Sequence, residues 1–184
     1  QETQSIVEMN LDFLPLKSYV NIVEGNALRM DWQEVLPAGE CNYIMGNPPF
    51  VGYSLQSKEQ KADMLDIYVD EKGKSYKTAG KIDYVAGWYF KAAEYIQNTG
   101  VRTAFVSTNS ITQGEQVAAV WKPLYDRFGI HIDFAWRTFK WDSESTEKAA
   151  VHVVIIGFSN EKTTSEYRLY STPTQSNICE NISP

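Results

Sequence analysis

The sequence predicts an α/β fold whose mostly parallel sheet ends in an antiparallel hairpin, and three observations carry that prediction. Short apolar runs, "YVNIV", "CNYIM" and "VRTAFV", each stop at a glycine or a polar cluster, as buried strands do. Between and after them, "DYVAGWYFKAAEYIQNTG" and "GEQVAAVWKPLYDRFG" place apolar residues at helical spacing, so these connections are crossovers of the kind parallel strands need. The runs "IHIDFAWRTFKW" and "AAVHVVIIGFS" are separated only by "DSESTEK", too short for a crossover, so that pair must be antiparallel.

Taken in order, residues 5 to 17 are mixed, and the first strand spans Tyr19 to Val23, ending at Gly25. The second, Cys41 to Met45, is stopped by Gly46. Ser57 to Tyr68 has helical spacing, and residues 70–81 form a polar loop of mixed charge. The next helix is closed by Gly100 as its C-cap. After the strand at "VRTAFV", the second long helix is kinked or broken at Pro123. "SEYRLYST" adds an edge strand.

At 184 residues the chain makes one domain, and 43% hydrophobic with 22% charged residues excludes a disordered class. The formal net charge of −6 and a pI near 5.0 argue against a chain that holds nucleic acid unaided. No apolar stretch is long enough for a membrane span. Cys41 and Cys179 make no disulfide framework, which fits a reducing, cytoplasmic setting. His131 and His152 lie on strand-like runs, and no Cys/His cluster has metal-ligand spacing.

The segment that carries chemistry is "GNPPFVGY", directly after the second strand. Ligands of open α/β sheets bind beyond the carboxyl ends of strands. Asn47 offers a side-chain oxygen acceptor, Pro49 keeps Pro48 out of the α region, and carbonyls here cannot join a helix ladder. Phe50 adds a flat apolar face. Fixed acceptors beside a ring suit a planar group bearing an exocyclic NH2. Two acceptors on its hydrogens favour a tetrahedral nitrogen with a free lone pair, which is preorganisation without a general base.

"GNPPF" resembles the motif of S-adenosylmethionine-dependent amino-methyltransferases. The ordered set "EGNALRMDW", "YIMGNPPFVG", "DYVAGWYFKAAEYI", "AFVSTNSITQGEQVAAVW" and "AAVHVVIIGF" is similar to MmeI-like DNA adenine-N6 methyltransferases, the methylase cores of single-chain restriction–modification enzymes. The resemblance runs from Tyr19 to Ser159 and implies a Rossmann-like class I methyltransferase fold. It assigns Asn47, Pro48, Pro49 and Phe50 to catalysis, with the Asn47 side chain and Pro48 carbonyl as amine acceptors and Phe50 stacking on a flipped base. It places Asn26 and Ala27 against the adenine of the cofactor, with Trp88 packing beside it. Phe139 or Trp141 completes the sandwich around the target base.

No G-x-G occurs in the sequence, and the first family segment corresponds to a third strand. The expectation is therefore a partial catalytic domain, residues 1–184, lacking the first two strands, the target-recognition domain and any nuclease. Its S-adenosylmethionine site is expected to be incomplete, so that the chain alone binds cofactor weakly and is inactive. Double-stranded DNA is the expected partner through a separate recognition domain, and an orphaned "YVNIV" strand suggests a homodimer. The competing readings are methylation of another planar amine (an RNA base or a glutamine amide) and a non-catalytic interaction module.

Overall fold

The computed structural model describes residues 22–141, 151–161 and 166–182. Along these the chain forms α1 (Trp32–Val35), β1 (Tyr43–Gly46), α2 (Lys58–Ile67), α3 (Ala86–Tyr95), β2 (Arg102–Thr108), α4 (Glu115–Phe128), β3 (His131–Trp141), β4 (Val151–Ser159), β5 (Tyr167–Thr172) and β6 (Gln175–Cys179). The strand expected at Tyr19 to Val23, on which self-pairing was to rest, falls mostly outside the described residues; Ile22 and Val23 are not in a strand. The turn "DSESTEK" also lies outside them.

The strands form a sheet in the order β1-β2-β4-β3-β5-β6. It is mixed rather than mostly parallel: β1–β2 and β3–β5 pair in parallel, while β2–β4, β3–β4 and β5–β6 are antiparallel. The expected hairpin is there, but its return strand does not lie at the edge. β4 inserts between β2 and β3 and converts two neighbouring pairings at once. "VHVVIIGFS" is apolar on both faces, with Val153, Val154, Ile156 and Phe158 buried, and such a strand is stable only in the middle of a sheet. Gly157 lets the Phe134 ring of β3 lie across it, where any Cβ would meet that ring at 2.0 Å. The expected edge strand β5 is instead internal, with β6 beyond it.

α3 and α4 cover one face of the sheet. The buried Tyr89 of α3 stacks on Phe158 and meets Phe105 and Trp121 edge-on, while its hydroxyl shares a 2.7 Å hydrogen bond with Ser107 of β2. Burying each such ring is worth about 1.5–3 kcal/mol, and the pairing of its polar tip avoids the cost of a lone buried hydroxyl.

α2 starts in a reciprocal capping box, Ser57 Oγ accepting from Gln60 N and Gln60 Oε1 from Ser57 N. α3 stops at Tyr95, five residues before Gly100, with Ile96 as its cap. The left-handed residue there is Asn98, at φ 59°, and Thr99 satisfies the Ile96 carbonyl through both N–H and hydroxyl. α4 runs unbroken through Pro123 and ends on Gly129 at φ 60°. Proline has no N–H for the carbonyl four residues back, that of Ala119. The buried Tyr68 hydroxyl, reaching from the end of α2, shares its proton between Val120 O at 2.7 Å and Ala119 O at 2.9 Å, so the carbonyl that proline leaves open has a donor. A side chain from another element repairs the helix that the sequence pattern suggested would break.

Candidate active site

β1 delivers the chain to the site. At its end a Cβ on Gly46 would meet the Phe105 ring of β2 at 3.3 Å, so glycine lets the two strands close up here. Asn47 to Phe50 then leave the sheet in neither helix nor strand, as the paired prolines require. Asn47 is exposed, Pro48 buried, Pro49 exposed and Phe50 half-buried. Among the described residues the Asn47 side chain has no hydrogen-bond partner, so its oxygen is uncommitted. Beyond Phe50 the segment is tied down by three bonds: Tyr84 N–H to Val51 O at 2.9 Å, Tyr53 N–H to Asp83 Oδ1 at 2.9 Å, and Gln56 Nε2 to Ile82 O at 2.9 Å.

Asn47, Pro48 and Pro49 form one lip of a cavity of about 620 Å³, a size that suits a nucleoside-sized ligand. Ala27, Met30, Trp32, Trp88 and Tyr95 contribute much of its wall. Of the predicted site residues, the cavity thus brings together Asn47, Pro48, Pro49, Ala27 and Trp88. Phe50 and Asn26 do not line it.

The wall is fixed by a polar knot behind it. Asn26 Oδ1 accepts from Leu28 N–H at 3.0 Å, folding residues 26–30 into a tight turn. Its Nδ2 donates to Asp63 Oδ2 at 3.1 Å, so both ends of this side chain are spent inside the protein. The Ala27 carbonyl accepts from Trp32 Nε1 at 2.8 Å, and Lys91 Nζ donates to Leu28 O at 3.0 Å. Asp63, only 5% exposed, also accepts from Arg29 Nε at 2.6 Å and from the Tyr84 hydroxyl at 2.9 Å. Burial by itself would raise the Asp63 carboxyl, but the hydrogen bonds from Arg29, Tyr84 and Asn26 outweigh it and hold the group below the usual carboxylate range. Burial, and then the Asp63 bond, push the Tyr84 phenol up to about 12, so it stays a donor. Tyr84 in turn packs edge-on against Trp88 at 5.1 Å.

Phe139 and Trp141 lie on β3, whose carboxyl end is the same end of the sheet as that of β1 and β2. Phe139 pairs with Val153, which pairs with Thr108, and it sits in a run of rings from Trp136 to Trp141. Strand spacing puts it roughly 14 Å from the line of β1, three strands away. Phe139 is half-buried and Trp141 is 41% exposed, and neither lines the cavity. The residues that sequence reasoning missed are Met30, Trp32 and Tyr95 in the wall and the buried carboxylates Asp63 and Asp83 behind it. The only available signal was the WQEV helix following "GNALRMD", whose tryptophan falls one turn beyond Ala27.

Among the described residues no group of His, Cys, Asp or Glu is placed to hold a metal ion, and no helix is long and apolar enough to cross a membrane. The cavity's flat and thioether surfaces fit an adenine-sized ring, while its described lining contributes no carboxylate that would bind a ribose.

The sequence pattern of the MmeI DNA-methyltransferase domain matches residues 1–171. DNA methyltransferase A of Bacillus subtilis (strain 168) is 43% identical over 173 residues, which is 93% of this chain and 19% of that protein. The structure of the type IIL restriction-modification enzyme MmeI in complex with DNA aligns at 44% identity and a TM-score of 0.84, covering 98% of this chain and 24% of that one. The type I restriction-modification methyltransferase subunit from Streptococcus thermophilus is 14% identical with a TM-score of 0.50, over 79% of this chain and 29% of that one, a likeness of fold alone. The chain therefore spans about a fifth of the curated relative and a quarter of the solved one.

Proposed function

The chain belongs to the family of MmeI DNA-methyltransferase domains, and on that premise we propose that it carries the amine-binding half of an adenine-N6 methyltransferase acting on duplex DNA. The observation that carries this reading is the placement of Asn47, Pro48 and Pro49. They leave β1 in neither helix nor strand, with the Asn47 oxygen uncommitted, and line the same cavity as Ala27 and Trp88.

In this reading the target adenine is extruded from the duplex, and its N6 hydrogens are accepted by the Asn47 side-chain oxygen and the Pro48 carbonyl. Phe50 lies against the base, with Phe139 or Trp141 from β3 on its other face. The acceptors localise the lone pair on N6 and stabilise the positive charge that grows on its hydrogens. The surplus proton leaves to water, since no base with a shifted pKa is needed. S-adenosylmethionine supplies the electrophilic methyl group when bound. Ala27 and Trp88 would hold its adenine, and Asn26 serves that contact through the turn it caps rather than by touching the ligand.

Asn47 to Phe50 are the proposed catalytic residues. With a net charge of −6, the affinity for DNA would come from the longer protein of which this chain matches a part. The test is methyl transfer by the full-length protein to unmethylated duplex DNA, RNA and protein. N6-methyladenine in DNA alone is the expected product, and methylation of RNA or of glutamine amides supports the competing specificity instead.

A further inference from the structure

We infer that Asp83 is the positioning residue that holds the two halves of this site in register. The inference rests on reading Asn47 to Phe50 as the amine-binding segment. Asp83 is buried between β1's outgoing loop, the turn after β2 and the start of α4. One carboxylate oxygen accepts from Tyr53 N–H at 2.9 Å, three residues beyond Phe50. The other accepts from Ser110 Oγ at 2.5 Å, and Ser110 Oγ is in turn 2.9 Å from Thr108 Oγ1 at the end of β2. Its own N–H donates to Gln116 Oε1 at 3.2 Å, while Gln116 Nε2 donates to Lys81 O at 3.0 Å. Its carbonyl accepts from Ala86 N–H at 3.0 Å, opening the helix that presents Trp88.

A single residue therefore fixes the exit of the acceptor loop and the entry of the helix that brings Trp88 to the cavity. The flanking Tyr84 N–H to Val51 O bond runs between the same two segments. The prolines keep Asn47 and Pro48 out of the α region but do not set where the loop goes after Phe50, and Asp83 does. Losing it would let the acceptors drift relative to the wall, and misplacement by about 1 Å can cost on the order of 100-fold in rate. The Ala86 bond comes from the Asp83 backbone and survives loss of its side chain, and the rest of the wall is tied to Asp63, so cofactor affinity should be spared.

The test is steady-state methylation of unmethylated plasmid DNA by the full-length protein, with S-adenosylmethionine affinity measured separately by calorimetry. Asp83→Ala is expected to lower kcat about 100-fold and Ser110→Ala about 10-fold, with S-adenosylmethionine affinity within about threefold of the parent. Asp83→Asn is expected to recover most of the rate, because its amide oxygen still faces Tyr53 N–H and its NH2 donates to Ser110 Oγ. Amide exchange at Tyr53 should quicken in the Ala variants and not in Asp83→Asn. Should Asp83→Ala fail to fold, the Ser110→Ala and Asp83→Asn pair decides. Unchanged kcat in Ser110→Ala, loss of cofactor affinity in step with kcat, or an Asp83→Asn variant as slow as Asp83→Ala overturns the inference. A parent protein that makes no N6-methyladenine overturns the functional reading instead, so the two failures are distinct.

Discussion

The Asn26 amide donates to Asp63 Oδ2 at 3.1 Å, and this bond turns inward a side chain that the sequence motif aims at the cofactor. Asn26 is thus part of the frame, and Ala27 beside it is the surface. The consequence is that the cavity wall depends on a carboxylate from α2, 37 residues away in sequence.

Replacing that carboxylate should be costly. Asp63→Ala strands the donors of Asn26, Tyr84 and Arg29 together, and a stability loss of roughly 2–3 kcal/mol is expected, read by denaturant unfolding. Arg29 is largely exposed and recovers water, so most of the loss should come from Asn26 and Tyr84.

The same group gives a signed pH dependence. Its folded pKa lies below the unfolded value of about 3.9. Its contribution is therefore fully present above the unfolded pKa and is lost as pH falls through the lower folded value. Stability measured from pH 6 downwards should fall more steeply in the parent than in Asp63→Asn below about pH 4. Parallel curves would remove the carboxylate's hydrogen bonds from the account.

Tyr68 and Pro123 should be coupled. Tyr68→Phe leaves the Ala119 carbonyl without its donor and should cost about 1–2 kcal/mol. Pro123→Ala restores a backbone N–H to that carbonyl, so the phenylalanine substitution should cost less in its presence. A double-mutant cycle measures the difference, about 0.5–1.5 kcal/mol, and strict additivity would contradict the repair.

Gly87→Ala tests the packing behind the wall. A Cβ there meets Met64 Sδ at 3.0 Å and the Leu28 methyls at 3.2 and 3.3 Å. Alanine's gain in helix propensity, about 1 kcal/mol, should be offset by the shift forced on Leu28. Because Leu28 adjoins Ala27, the expected signature is weakened S-adenosylmethionine binding by the full-length protein with little net change in unfolding temperature.

What was legible in the sequence were features encoded locally. The period of α2, α3 and α4 and the hairpin's antiparallel sense both follow from neighbouring residues. The sheet's mixed order was not, because no local pattern says that β4 lies between β2 and β3. β6 went unseen since "QSNIC" is largely exposed and polar, an edge strand with no alternation to read. Asp63 and Asp83 stand among lysines and other acids and look like solvated charge, and only the folded chain shows them buried with partners. The departure of Asn47 to Phe50 from both helix and strand was legible because proline restricts the backbone wherever it stands.

The most direct measurement is mass-spectrometric quantification of methylated nucleosides in duplex DNA treated with the full-length protein and its Asn47→Ala variant. The account predicts N6-methyladenine as the product, formed about 100- to 1,000-fold more slowly by the variant, whose S-adenosylmethionine affinity stays near that of the parent. A methylated cytosine as the product, or an undiminished rate in Asn47→Ala, would contradict it.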